Sequence, residues 1–292
     1  MPSSPLRNRL LLVATAVLFS TGGAGIKAAS FTAWQVASFR SAVAAVALLL
    51  VVPEARRGWR WRIAPVGAAY AATLILFVLA TRMTTAANAI FLQATAPLYL
   101  LLLGPWLLRE PIRRSDIGFM AALAAGMSLF ALGHQRAVAT APNPHTGNEL
   151  ALASGLAWAL TLVGLRWLSR RKAGSAGMAA VTAGNIMAFL AALPMALPVA
   201  SVSRSGVAVI LYLGVFQIGL AYWCLTRAVR HVTAFEATTT LLLEPVLNPV
   251  WTWLIHGESP GAWPLAGGAV ILSATAIHAW RQGRSAANAV AT

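Results

Sequence analysis

The segment LATRMTTAANAIFLQATAPLYLLLLGPWLLREPI, residues 79–112, decides the fold because the chain contains a second version of it, RAVRHVTAFEATTTLLLEPVLNPVWTWLIHGESP, residues 227–260. A shift of 148 positions aligns the two segments without a gap. The identities that carry the alignment are Ala80 with Ala228, Arg82 with Arg230, Thr85 with Thr233, Ala86 with Ala234, Ala89 with Ala237, Pro97 with Pro245 and Glu110 with Glu258. Each version is an apolar helix with a proline inside it and polar residues at its ends. We therefore interpret the chain as a duplication.

The composition of the whole chain indicates an integral membrane protein. Hydrophobic residues fill 59% of its 292 positions, charged residues fill 10%, and the mean hydropathy is +0.72. Too little polar material remains to cover a soluble protein. The apolar stretches are about twenty residues long, the length that crosses ~30 Å of hydrocarbon as a helix. Since lipid offers no partners to backbone groups, each stretch is predicted to be helical.

The apolar stretches predict an all-α fold of ten transmembrane helices, five in each copy. The predicted spans are 10–26, 32–52, 63–81, 86–108, 117–133, 149–168, 177–200, 207–225, 234–256 and 262–280. The first five-helix repeat occupies residues 1–140, a linker rich in proline and glycine residues 141–148, and the second repeat residues 149–292. The first span also has the features of a signal peptide, but nine further spans favour a retained helix.

The positions of the basic residues predict how the two copies are inserted. Of 22 lysines and arginines, 17 fall at the ends that are cytoplasmic if the amino terminus is cytoplasmic. The others are Lys27, Arg82, Arg136 and Arg204 at the opposite ends and Arg40 inside the second span. This bias predicts two cytoplasmic termini and explains the net charge of +15 without a nucleic-acid partner. An odd number of spans then gives inverted repeats, an architecture of transporters with a midplane binding site.

Polar and aromatic residues at helical spacing predict a lined face in several spans. If the fourth span is one straight helix, four of its residues lie within about 40° of one another at ~100° per residue. Hydrogen bonding between packed helices is the alternative reading of such a face. The members are Asn88, Thr95, Tyr99 and Trp106 in the fourth span, Tyr70, Thr73, Phe77 and Thr81 in the third, and Glu236, Thr240, Glu244 and Asn248 in the ninth.

Glu244 is the costliest residue of the chain, because a carboxylate in the middle of a span costs a few kcal/mol. It is predicted to hold a substrate ammonium group or a coupling proton, or to make a structural hydrogen bond or an ion pair with Arg40. Arg40 itself is interpreted as a snorkelling or paired structural charge. Glu110 and Glu258, which end their spans, are interpreted as structural.

Two further features point to a central site. Pro97 and Pro245 remove helix hydrogen bonds at equivalent points of the copies, which predicts matched hinges. Trp158 lies in the middle of its span, away from the interfacial belt where most of the tryptophans fall, and is either a stacking surface for a ligand or core filling. Gln217 and Tyr222 of the eighth span are weaker candidates for the same lining. The histidines and the single cysteine, Cys224, lack metal-ligand spacing, so neither a metal nor another cofactor is predicted.

These residues resemble the drug/metabolite transporter superfamily of the EamA type, and more narrowly the YddG aromatic amino-acid exporters. The resemblance covers both halves and rests on the two proline-to-glutamate spacings, Pro97 to Glu110 and Pro245 to Glu258, and on the sequence GLAWAL at residues 155–160. Where the family often has Trp-Gly in its first span, this chain has Phe19 and Ser20, while Lys27 keeps the basic position. By this resemblance, Phe19 is predicted to line the substrate site. The resemblance implies a multi-pass protein of the bacterial inner membrane that exports neutral, aromatic or bulky amino acids by alternating access.

Two other functions are weighed against this one. An efflux carrier for hydrophobic drugs or cations fits the same architecture, with Glu244 as the counter-charge. An intramembrane enzyme needs a concentrated nucleophile or metal cluster, and the sequence shows none. The expected partners are therefore a small-molecule substrate and the lipid bilayer.

Overall fold

The computed structural model describes residues 5–107, 114–132, 137–169, 176–228 and 240–291. Within these ranges the chain is helical, apart from short connections and one bridge between Val138 and Ala141. The helices are α1 (Pro5–Ser20), α2 (Gly22–Ala28), α3 (Ala33–Val51), α4 (Ile63–Met83), α5 (Ala86–Gln93), α6 (Ala96–Leu107), α7 (Arg114–Leu132), α8 (Pro144–Ser169), α9 (Ala176–Ala196), α10 (Arg204–Tyr212), a π-helical segment (Leu213–Leu220), α11 (Ala221–Ala228), α12 (Leu243–His256) and α13 (Ala262–Ala291).

Seven stretches of the described chain are long and apolar enough to cross a membrane. They are Leu6–Ala28, Ala33–Val51, Ile63–Met83, Ala86–Leu103, Pro144–Leu165, Ala176–Ala196 and Arg204–Ala228. The predicted fifth and tenth spans are represented by shorter apolar helices, Asp116–Leu129 and Ala262–His278, and the ninth by α12. The all-α fold is therefore found, and the count of ten spans stays a prediction.

Small polar residues fix the ends of several helices. Thr32 and Gln35 form a capping box at the start of α3, in which each side chain accepts a hydrogen bond from the other residue's backbone N–H. Thr85 caps α5 and Ser203 caps α10 by a single hydrogen bond each. The side-chain oxygen accepts from the backbone N–H of Asn88 in α5 and of Gly206 in α10. At the other end of a helix, Gly257 has φ of 64° and closes α12 in the left-handed conformation that glycine tolerates.

Two of the predicted spans are interrupted. The first consists of α1 and α2, which meet at Thr21. The fourth consists of α5 and α6, which meet at Ala94 and Thr95, immediately before Pro97. Thr95 donates a hydrogen bond from Oγ1 to the Leu92 carbonyl over 2.6 Å, so it satisfies a backbone group that the interruption frees. The regular helical spacing that would place Asn88 and Tyr99 on one face therefore does not continue across this break.

The main packing interfaces join the first half of the chain to the second. Helix α4 packs against α8 and α9, α3 against α9 and the π-helical segment, α1 against α11 and α12, α5 against α8, and α7 against α13. One close approach is at Gly67 of α4 and Gly184 of α9, where a Cβ on Gly184 would lie 2.7 Å from the Gly67 carbonyl oxygen. Small residues therefore allow the two halves to pack backbone to backbone.

The predicted linker is partly helical. Helix α8 begins at Pro144, earlier than the predicted span start at Glu149. The Asn143 backbone N–H donates to the Met83 carbonyl over 3.0 Å, and Gly147 packs directly on Thr84. The prolines and the glycine of residues 141–148 thus start a helix that docks on the end of α4, since proline is well suited to a first helical turn.

Candidate functional site

An aromatic cluster lies in the middle of the bundle and draws on both halves of the chain. Phe19 of α1 and Tyr70 of α4 each pack edge-on against Tyr222 of α11, with ring centroids 5.2 Å and 5.6 Å away. Trp158 of α8 packs against the same buried group of side chains. We call Phe19, Tyr70, Trp158 and Tyr222 the central aromatic cluster. All four were predicted as lining residues, and the fold brings them together from four different helices.

The rings of this cluster differ in how deeply they are buried. Tyr70 is 2% exposed and Tyr222 is 8% exposed, whereas Phe19 and Trp158 are only partly buried. Edge-on packing of aromatic rings places the positive ring edge against the negative face of the next ring, and it stabilises a pair by about 1 kcal/mol beyond area burial. The two tyrosines therefore form a fixed floor, and Phe19 and Trp158 supply an accessible aromatic edge.

Arg40 of α3 lies beside the two tyrosines with its side chain enclosed. The residue is 1% exposed, its Nη2 donates to the Leu74 carbonyl over 3.1 Å, and its Nε has no hydrogen-bond partner. Both tyrosine hydroxyls lie within electrostatic range of the guanidinium. Arg40 makes no ion pair with any described carboxylate, Glu244 included. The snorkelling or paired charge expected from the sequence is thus not found in the described part of the chain.

Further polar groups next to Arg40 also lack partners. The Tyr70 hydroxyl lies beside the Tyr222 hydroxyl and the Asn185 side chain, but it makes no hydrogen bond of ordinary geometry. Asn185 of α9 uses its Nδ2 to donate to the Val181 carbonyl over 3.0 Å, and its Oδ1 has no partner. Buried polar groups normally are hydrogen-bonded, so a group of them without partners is a candidate for binding a further molecule.

Glu244 stands in the first turn of α12 and is partly buried. Its carboxylate interacts electrostatically with the Tyr222 hydroxyl and makes no ion pair with a cation in the described part of the chain. A carboxylate at membrane depth without a cation next to it is a functional-site candidate by default. Its position near Tyr222 connects it to the same group of side chains as Arg40.

Gln217 of the eighth span and Asn248 of the ninth lie at the interruption between α1 and α2. A Cβ on Gly22 would lie 2.9 Å from Nε2 of Gln217, and one on Gly23 would lie 2.5 Å from Oδ1 of Asn248. Asn248 is fully buried and neither atom of its amide has a hydrogen-bond partner, and Oε1 of Gln217 is also unpaired. The two glycines therefore make room for two amide side chains, which pack directly on the backbone of the interrupted helix.

The predicted stripe of the fourth span is divided by the helix interruption. Asn88 of α5 donates from Nδ2 to Oγ1 of Thr84 and to Oδ1 of Asn148, over 3.1 Å and 3.2 Å, near one end of the bundle. Thr95 is fully buried at the interruption and Tyr99 is partly buried in α6. These residues do not join the central aromatic cluster. The side chain of Trp106 lies outside the described residues, as do Glu110 and Glu236.

The polar residues of the third span have different surroundings. Thr73 and Thr81 donate to the carbonyls one turn earlier, Ala69 and Phe77, over 2.9 Å and 2.7 Å. Phe77 packs between two hydrophobic clusters, one formed mainly by α5, α7 and α13 and one by α2, α3 and the π-helical segment. Of this face, only Tyr70 reaches the central aromatic cluster, and the threonine hydroxyls satisfy their own helix.

A buried ion pair lies at one end of the bundle. Lys27 Nζ lies 2.7 Å from Glu258 Oε2, and the two side chains are 4% and 3% exposed. Lys27 also donates to the carbonyls of Thr84 and Thr140, and Glu258 Oε1 accepts from the Ala86 backbone N–H over 2.6 Å. The pair connects the end of α2, the start of α5 and the segment after α12. Sequence analysis noted both residues without pairing them, because they are far apart along the chain.

The predicted hinge prolines stand next to breaks in helical structure. Pro97 is the second residue of α6, directly after the interruption at Ala94 and Thr95. Pro245 is in the first turn of α12, directly after a turn at Leu242. A proline at the start of a helix costs no hydrogen bond and fixes the backbone angle there. A second proline, Pro249, lies inside α12, and the described residues contain no His, Cys, Asp and Glu group that could hold a metal.

Comparison with known proteins gives a family and a fold. The model of the EamA-like transporter family matches residues 8–132 and 145–280. No curated protein matches the chain significantly. A solved structure, described only as the crystal structure of a protein, is similar with a TM-score of 0.61 and 17% identity, over 95% of this chain and 98% of its own. At that identity the likeness shows the fold alone.

Proposed function

The chain belongs to the EamA-like transporter family, and we propose that it exports neutral amino acids with aromatic or bulky hydrophobic side chains. The family places it among multi-pass membrane transporters of small molecules. The observation that supports the substrate class is the central aromatic cluster, in which Phe19 and Trp158 present accessible rings above two buried tyrosines. Aromatic faces and edges bind flat or bulky apolar side chains well. Arg40 and Glu244 flank this cluster with opposite charges, as a zwitterion requires.

We further propose that the two halves are inverted five-helix repeats. The packing supports this proposal, because exchanging each span for its equivalent in the other half reproduces the pattern of contacts. The pair of α4 with α8 becomes the pair of the α10–α11 stretch with α1, and the pair of α5 with α8 becomes the pair of α12 with α1. The contacts of α3 with α9 and of α7 with α13 join equivalent spans, so the exchange leaves each of them unchanged. Inverted repeats of this kind place the substrate at their interface.

Alternating access is the proposed mechanism. Lys27 and Glu258 belong to different halves and hold one end of the bundle closed, while the prolines at the helix breaks give the spans points about which to bend. Opening of that end requires the ion pair to separate as the halves rock against each other. The charge bias of the sequence supports an orientation with this end outside the cell and both termini in the cytoplasm. The membrane that we propose, by the family resemblance, is the inner membrane of a bacterium. A carboxyl-terminal reporter that is active only in the periplasm is expected to be silent.

The substrate proposal is tested with purified protein in liposomes and a panel of radiolabelled solutes. We expect accumulation of L-phenylalanine, L-tryptophan and L-leucine, and no release of cationic dyes. Release of cationic dyes without any amino-acid transport would replace the proposal with the efflux function, for which Glu244 is the counter-charge. Liposomes without protein and liposomes with heat-inactivated protein are the controls.

A further inference from the structure

We propose that Arg40 binds the anionic group of the transported solute, so that the carrier selects substrates with a carboxylate. This inference rests on the proposed function, because it names the part of the substrate that the central site recognises. The observation behind it is a fully enclosed guanidinium that has one hydrogen bond, to the Leu74 carbonyl, and no ion pair with a described residue. A guanidinium has five N–H donors, and its planar fork matches a carboxylate.

The free-energy cost of burying an arginine without a carboxylate partner suggests that Arg40 has a binding role. Taking an arginine out of water costs several kcal/mol, and proteins normally recover that cost with a carboxylate or several hydrogen bonds. Here the Nε atom has no acceptor, and the polar side chains that interact with the guanidinium are those of Tyr70 and Tyr222. The hydroxyl of Tyr70 adds a second donor that lacks a partner of ordinary geometry. An arriving carboxylate would therefore meet two unsatisfied donors, Nε of Arg40 and the hydroxyl of Tyr70.

The surroundings also match the rest of an amino acid. The rings of Phe19 and Trp158 are partly buried and pack in the same cluster as Tyr70 and Tyr222, the two tyrosines that interact with the guanidinium. Glu244 interacts with Tyr222 from another element and brings an opposite charge. With the carboxylate on Arg40, the ammonium group on the Glu244 side and the side chain on the aromatic edge, each chemical part of the solute has a partner. The residues come from both halves, so binding depends on how the halves are arranged.

The first test compares substrates that differ only in the carboxylate. Wild-type protein in liposomes is expected to transport L-phenylalanine and to reject L-phenylalaninamide and phenethylamine. In the variant Arg40→Gln, KM for L-phenylalanine is expected to rise about tenfold to a hundredfold, the loss of one charge-assisted contact. Arg204→Gln is the matched control, since Arg204 is exposed at the start of α10. Equal transport of the acid and the amide by wild-type protein would overturn the proposal.

A second test separates ligand binding from folding. If Arg40 is an open anion site, Arg40→Met is expected to raise the unfolding temperature of the ligand-free protein in detergent, because an unpaired buried charge is removed. If Arg40 only supports the structure, the same variant lowers that temperature, which would contradict the proposal. Tyr70→Phe is expected to keep the unfolding temperature and raise KM. The control Tyr212→Phe removes an exposed hydroxyl that bonds Thr21 and should keep KM.

The outcomes distinguish this inference from the proposed function. If wild-type protein transports amino acids and Arg40→Gln does so with unchanged KM, the function stands and the role of Arg40 is wrong. If it transports benzoate or phenylpyruvate but no amino acid, and Arg40→Gln loses that transport, the role of Arg40 stands and the amino-acid substrate is wrong. Transport of cationic dyes alone would overturn both.

Discussion

Nζ of Lys27 and Oε2 of Glu258 lie 2.7 Å apart, and this contact joins the two halves of the chain at one end of the bundle. Both side chains are almost completely buried, so the pair is shielded from water and from salt. Three backbone groups complete it, two carbonyls that accept from Lys27 and one N–H that donates to Glu258. This buried pair fixes how the two halves pack at this end, and we propose that its separation is the step that opens the end during transport.

Breaking the pair from one side should destabilise the protein. Glu258→Gln removes the negative charge and leaves the Lys27 ammonium buried without compensation, a change that costs about 3–5 kcal/mol in buried pairs. We expect a clear fall in the unfolding temperature in detergent, and a partial recovery when Lys27→Met is combined with Glu258→Met. Glu149→Gln is the control, because Glu149 is exposed and meets only His145 at 3.3 Å. Equal unfolding temperatures of Glu258→Gln and the control would show that the pair does not hold this end.

A glycine-to-alanine substitution is expected to have opposite effects at a packed and at an open position. Gly184 lies in the close contact of α4 with α9, whereas a Cβ on Gly118 of α7 would meet no described atom nearby. Gly184→Ala places a methyl group 2.7 Å from the Gly67 carbonyl oxygen and from Cδ1 of Tyr70, so it is expected to destabilise the protein by about 1–3 kcal/mol. Gly118→Ala in α7 has no atom within 4 Å of the new Cβ and should stabilise slightly, as alanine is the better helix former. Thermal unfolding in detergent measures both. A stabilising Gly184→Ala would contradict the packing of α4 on α9.

Trp158 tests whether the aromatic edge belongs to the transport path. Trp158→Ala is expected to reduce transport of L-phenylalanine at least tenfold while the protein is still produced and purified, because it removes an accessible ring from the cluster. Trp253→Ala is the matched control, since Trp253 of α12 is 58% exposed. Unchanged transport in Trp158→Ala would assign this tryptophan to packing.

A substitution of Glu244 tests whether this residue binds the ammonium group of the substrate. Glu244→Gln keeps the size and hydrogen-bonding atoms of the side chain and removes the charge, so KM for L-phenylalanine is expected to rise about tenfold or more. Glu149→Gln is again the control, as it removes an exposed carboxylate. A variant Glu244→Gln with the KM of wild type would mean that the substrate ammonium group is held elsewhere.

The helices and several site residues could be predicted from the sequence for physical reasons. Long apolar stretches can only be helices in lipid, and seven of them are found where hydropathy placed them. Tyr70, Trp158 and Tyr222 were selected as polar or aromatic residues within a span and Phe19 through the family resemblance, and the fold brings the four into one cluster. Residue type and depth in a span are local properties, so one sequence is sufficient to read them.

Other features depend on tertiary structure. The predicted stripe from Asn88 to Tyr99 requires one continuous helix. The interruption at Ala94 and Thr95 divides the span into α5 and α6, so helical spacing does not relate side chains across it. The pair of Lys27 with Glu258 joins distant positions, and spacing rules apply only within a helix. Arg40 was expected to snorkel or to be paired, and only the packing of α3 against α4 and α9 shows that it is enclosed without an ion pair in the described chain.

Counterflow in liposomes tests the central claim most directly. Vesicles containing the protein are loaded with a high concentration of unlabelled L-phenylalanine and diluted into a trace of labelled L-phenylalanine. Since a carrier that alternates between two sides exchanges solute one molecule at a time, the label is expected to accumulate inside transiently above its outside concentration and then to decay. The same vesicles loaded with L-phenylalaninamide should show no such overshoot. An absence of overshoot with L-phenylalanine would contradict an amino-acid carrier with a central site between the two halves.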